Sequence, residues 1–199
     1  ARDTMRDLGQ PYTRSRFYQL YINGQYWGLY QSEERPDADF AASYFGGDSD
    51  DYDVVKTESG PYNIEATDGD LDAWTRLWDA VAGPDKLDLS KNAAYYQLQG
   101  KNPDGSANPD YEALVDVDNL IDYMMVIFYS GNLDGPISAK LNNQAPNNFF
   151  AIRDRTGNGG GFKLIMRDAE HSLLDVNESR IGPYQLGDLF AKFNPQYLH

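Results

Sequence analysis

An α+β fold is predicted by three observations. Two stretches, 16–34 and 148–168, read as β-hairpins, one around Asn23-Gly24 and one around a glycine-rich turn. Between them lie segments with apolar residues at helical spacing, of which 115–132 is apolar almost all round and reads as a buried central helix. The order mixes hairpins and helices instead of alternating them one for one, which favours α+β over a doubly wound parallel sheet.

The elements follow in chain order. "ARDTMRDLGQ" reads as helical sequence cut short, and the same holds at the other end, so the expectation is one domain over 1–199, incomplete at both ends. In "RFYQLYINGQYWGLYQSEE", aromatic and β-branched runs flank Asn23-Gly24, which suits a turn needing positive φ at both centres. "RPDADFAASYFGG" is a short helix, with Pro36 in its first turn and Gly46-Gly47 stopping it. "YDVVKTE", 52–58, is a strand. In "TDGDLDAWTRLWDAVAG", Leu71, Trp74, Leu77, Trp78 and Val81 fall on one helical stripe that ends at Gly83-Pro84.

A weaker helix covers 90–99, and 100–113 is a polar, turn-rich loop. Asp118 is the predicted N-cap of the central helix, which stops at Gly131. The loop "LDGPISAKLNNQAPN" leads into strand "NFFAIRD", a turn at 155–161 and strand "FKLIMRD". "LGDLFAKF" is a last short helix.

Composition bounds the function. The chain has 199 residues, 41% apolar and 14% aromatic, enough for one sizeable core. Its net charge of -14 argues against nucleic acid and against an anionic membrane as partner, and suits a secreted or cell-surface protein and bound cations. Without cysteine there is no disulfide, no thiolate nucleophile and no zinc-thiolate site. No apolar run approaches the ~18 residues of a membrane span.

"FKLIMRDAEHSL" sets Asp168, Glu170 and His171 where a buried strand leaves the core. Asp134 lies just past the central helix, and Asn147-Asn148 open the strand expected to pair with the one ending at Asp168. Carboxylates, an amide oxygen and water form the ligand set of a hard cation, magnesium or calcium. Each residue also has a plainer reading: Asp134 as a turn former before Gly-Pro, the asparagines as partners of loop backbone, Asp168 as a helix cap, His171 as a packed side chain. "GNGGG" lacks the lysine and helix of a phosphate loop, and "DGDLD" lacks the offsets of a calcium loop.

Several stretches together resemble the CotH kinase-like family, the atypical kinases named for spore-coat protein H. They are "YINGQYWGLYQSEERPD", "YDVVK", "DAWTRLWDAV", "VDVDNLIDYMMVIFYSGNLDGP", "NNFFAIRD" and "FKLIMRDAEHSL", in order over 5–175. The resemblance implies an atypical protein-kinase-like domain that uses ATP and magnesium on serine or threonine of secreted or coat proteins in bacteria. It implies that Asp134 accepts or orients the acceptor's hydroxyl proton, while Asn148 (or Asn147), Asp168 and Glu170 hold metal. Glu34 and Lys56 would support the nucleotide site.

The chain departs from the family pattern in having Arg167 where tryptophan is common and Glu170 where aspartate is common. Residues 135–147 between Asp134 and Asn148 also form a longer insertion than in ordinary kinases. Two other classes stay open: a non-catalytic surface module with structural calcium, and a carbohydrate hydrolase whose sugar site is lined by Trp27, Trp74 and Trp78.

Overall fold

Two sheets and five α-helices make up the described part of a computed structural model, which covers residues 1–57 and 63–181. The expected helix "LGDLFAKF" lies outside the described residues. Helix α1 (Arg2–Asp7) precedes the hairpin of β1 (Ser15–Ile22) and β2 (Gln25–Glu33). Asn23 and Gly24 take φ of 52° and 79° at its turn, as its sequence requires. Both faces of this hairpin are open, with Phe17, Tyr21, Trp27 and Leu29 more than half exposed.

The main sheet is antiparallel, in the order β4-β3-β5-β6. Its strands are β3 (Tyr52–Thr57), β4 (Ile64–Asp68), β5 (Phe150–Asp154) and β6 (Lys163–Leu164). Strand β4 is absent from the sequence-based reading because "IEATD" has neither a strong apolar alternation nor a turn signal before it. The second hairpin forms, but β6 is short. Beyond it the chain stays extended to Met166, which pairs with Tyr12.

Both faces of the sheet are covered, which explains the continuous apolar runs in β3 and β5. On one face Val55, Ala151 and Leu164 join Trp74, Tyr123, Ile127, Phe149, Phe162 and Met166. On the other, Val54, Phe150 and Ile152 join Phe40 and Ala41. The second group comes from α2 (Ala38–Phe45), capped by Asp37, so Pro36 stands just before the cap and not within the first turn.

Helix α3 (Asp72–Ala82) drives Trp74 into the core, edge-on to Phe149 and Phe162 at 5.2 and 5.3 Å. Burying an aromatic this way stabilises by about 2–3 kcal/mol. Trp74 is thus core, while Trp27 is 57% exposed on the hairpin, so the two do not line one groove. Helix α4 (Asn92–Gln97) matches the weaker helix expected there.

Helix α5 (Val117–Ser130) is capped by Asp116, whose carboxylate accepts from Asn119 N–H at 2.9 Å. Asp118, the expected cap, lies in the first turn, because residues 115–116 are tied to Phe162 and the helix starts as soon as that pairing ends. The helix is buried on one side only: Tyr123 and Ile127 face the core, whereas Met125 and Tyr129 are 59% and 89% exposed. Asn119 is fully buried and locks α5 to β6, accepting from Leu164 N–H at 2.6 Å and donating to Leu164 O at 3.2 Å. Among the described residues no helix is long and apolar enough to cross a membrane.

Candidate functional site

The site begins where α5 ends. Gly131 takes a left-handed conformation at φ 58°, and Asn132 closes a turn by accepting from Asp134 N–H at 2.9 Å. Asp134 is thereby held half-buried just beyond the helix. Its Oδ1 accepts from Ser138 Oγ and from Asn147 Nδ2 at 3.1 Å, and its Oδ2 accepts from Asn148 Nδ2 at 3.2 Å. Residues 135–147 loop out between the two ends and return through the pairing of Ile137 with Pro146. The longer insertion therefore leaves Asp134 and Asn148 in contact.

Asn148 and Asp168 enter one cavity of about 280 Å3 from the starts of different segments, Asn148 ahead of β5 and Asp168 past Met166. Lys56, Thr57, Arg35 and Arg167 complete its polar wall. Both Asn148 and Asp168 sit at positive φ, 48° and 45°, a conformation that costs a non-glycine residue about 1 kcal/mol or more. Such strain persists only where surrounding structure imposes it. Here the imposing contacts are the Asn148–Asp134 hydrogen bond and the segment after Asp168, where Leu133 N–H donates to His171 O and Leu173 N–H to Ser130 O.

The donor set fits a hard cation. Asn148 spends its amide N–H on Asp134, which turns its carbonyl oxygen away from that partner, and the Asp168 carboxylate is exposed with no ion pair among the described residues. An amide oxygen and a carboxylate lining one small cavity suit magnesium completed by water. No group of three or more His, Cys, Asp or Glu residues that could hold a metal ion occurs among the described residues.

The other expected residues sit around it at different distances from the chemistry. Lys56 lines the cavity and is paired with Glu65 at 2.5 Å. Glu170 does not line it; its carboxylate faces His171 at 3.3 Å. His171 in turn contacts Lys140. Glu34 is outside the cavity too, held by Tyr44 O–H and by Arg14 N–H. Burial pushes the Glu34 carboxyl up, but those hydrogen bonds and the Arg14 charge outweigh it and leave the group below its ordinary value. Ser138, Arg35 and Thr57 carry no motif of their own, and the sequence does not single them out.

A family model described as "CotH kinase protein" matches residues 1–192. No curated protein matches the chain.

Proposed function

This chain belongs to the CotH kinase family, and from that premise we propose that it is a magnesium-dependent atypical kinase that transfers the γ-phosphoryl group of ATP to serine or threonine of other proteins. The observation that carries the reading is that Asn148 and Asp168 line one cavity, with Asp134 held beside it by its hydrogen bond to Asn148. Magnesium bound there would neutralise charge on the phosphates. Asn148 and Asp168 would hold it through their oxygens. Lys56, Arg35 and Arg167 supply positive charge along the same wall for the phosphate oxygens.

Asp134 Oδ2 accepts a single hydrogen bond from the described residues and so keeps capacity to accept the acceptor hydroxyl's proton. In the transfer, the bond from the γ-phosphorus to the bridging oxygen breaks, the bond to the acceptor oxygen forms, and the displaced proton passes to Asp134. The strong acidity of the chain suits a secreted or cell-surface location, and its family favours bacterial coat or surface proteins as acceptors.

Isothermal titration of ATP with magnesium tests this. Binding to the parent chain and its loss in a folded Asp168→Ala variant support the reading. A folded parent chain that binds no nucleotide overturns it.

A further inference from the structure

On its other side Asp168 lines a second, larger cleft of about 800 Å3, bounded by α1, the segment 12–16 and β2. In a chain of net charge -14, four arginines, Arg2, Arg6, Arg14 and Arg16, meet in this one place. Three of them are fixed by neighbours. Arg2 pairs with Glu33 at 3.1 Å, Arg6 with Asp3 at 3.0 Å, and Arg14 stacks over Tyr44 at 3.9 Å while pairing with Glu34. Arg16 has no ion pair among the described residues.

Two donors in this wall have no hydrogen-bond partner although they are buried: Arg2 Nη1 and the hydroxyl of Thr13, a residue only 1% exposed. A buried donor without an acceptor costs about 1–3 kcal/mol. Small turns of these two side chains toward the cleft would let an oxyanion there serve as acceptor for both. Of the four acids in the same wall, Asp3 and Glu33 are held by Arg6 and Arg2 and Glu170 faces His171, which leaves Asp168 as the one acid without an ion pair among the described residues.

We propose that this cleft is an oxyanion subsite for a phosphorylated residue of the acceptor protein, bound by Arg2, Arg16 and Thr13 beside the Asp168 site, so that the enzyme prefers acceptors that already carry phosphate. The proposal rests on the kinase reading for its purpose but not for its binding. A tetrahedral dianion with three acceptor oxygens matches a forked guanidinium, a second guanidinium and a hydroxyl better than a planar carboxylate does. A free nucleotide could offer the same phosphate chemistry, and the test separates the two sources.

A peptide bearing one phosphoserine and the same peptide with plain serine are titrated into the full chain, with and without saturating ATP and magnesium. The phosphopeptide is expected to bind at least about tenfold more tightly than its plain counterpart, the worth of one charged hydrogen bond. That preference is expected to vanish in Arg16→Glu and, as a milder change should the first not fold, in Arg16→Gln. ATP with magnesium should leave it in place. Equal affinity for the two peptides, an unchanged preference in a folded Arg16 variant, or displacement by ATP each overturns the proposal. Phosphopeptide binding in a chain that binds no ATP leaves the subsite standing and removes the kinase reading alone.

Discussion

The Asp134 carboxylate and the Asn148 side-chain amide are joined at 3.2 Å across the loop of residues 135–147. The contact fixes both partners: it holds Asp134 against a wall that also includes Ser138 and Asn147, and it points the Asn148 carbonyl oxygen elsewhere. A turn-forming aspartate would need only the bond to its own loop. Three amide and hydroxyl donors converging on Asp134 argue for a carboxylate that must keep one orientation.

Replacing Asp134 by asparagine is therefore expected to lower phosphoryl transfer by about 10²–10⁴-fold, the usual worth of a positioned proton acceptor. The affinity for ATP should change little, because Asp134 does not line the phosphate cavity. Incorporation of labelled phosphate from γ-labelled ATP into an added serine-rich protein, measured beside nucleotide titration, separates the two effects. A variant that transfers phosphate at the parent rate would return Asp134 to the role of a turn former.

Gly161 yields a second expectation, about the fold. In the sequence it is the last residue of "GNGGG" and reads as part of a turn, but a Cβ there would run into the backbone of Leu114 and Val115. That close approach lets Phe162 exchange hydrogen bonds with Leu114 and Asp116, which sets the start of α5 against β6. Gly161→Ala is expected to destabilise the chain by about 2–4 kcal/mol through forced separation of these segments. Urea unfolding followed by tryptophan fluorescence measures it, and a loss under about 0.5 kcal/mol would mean that the backbone yields freely.

These two sites show what the sequence could disclose. The Asn23-Gly24 hairpin, the stripe of α3 and the paired strands β5 and β6 were legible because each follows from local turn chemistry or periodicity. Strand β4 was not, since five residues reading "IEATD" become a strand only by pairing with β3. The cap of α5 fell to Asp116 instead of Asp118 for a similar reason: the start of the helix is set by a tertiary pairing with Phe162. At the site, the residue types of Asp134, Asn148 and Asp168 were legible, whereas the contact across 135–147 and the arginine walls depend on loops whose path no spacing encodes.

Asp116 gives a pH dependence with a definite sign. Burial pushes its carboxyl up, but the Asn119 N–H and the Lys163 ammonium, 2.5 Å away, outweigh that and hold it below its ordinary value near 3.8. A carboxyl depressed in the folded chain stabilises above its unfolded value, and that stabilisation is lost as the pH falls through the lower folded value. Asp116→Asn keeps an oxygen to cap α5 but loses the charge that faces Lys163 and the helix N-terminus. At pH 7 the variant is expected to be about 1 kcal/mol less stable than the parent, in line with a capping charge joined to a partly exposed ion pair. The gap should close as the pH falls through the parent's lowered folded value, below which the two unfold alike. Urea titrations of both chains at pH 7, 5, 3 and 2 supply the comparison, and a gap that stays constant to the lowest pH would show that the substitution acts through something other than loss of the Asp116 charge.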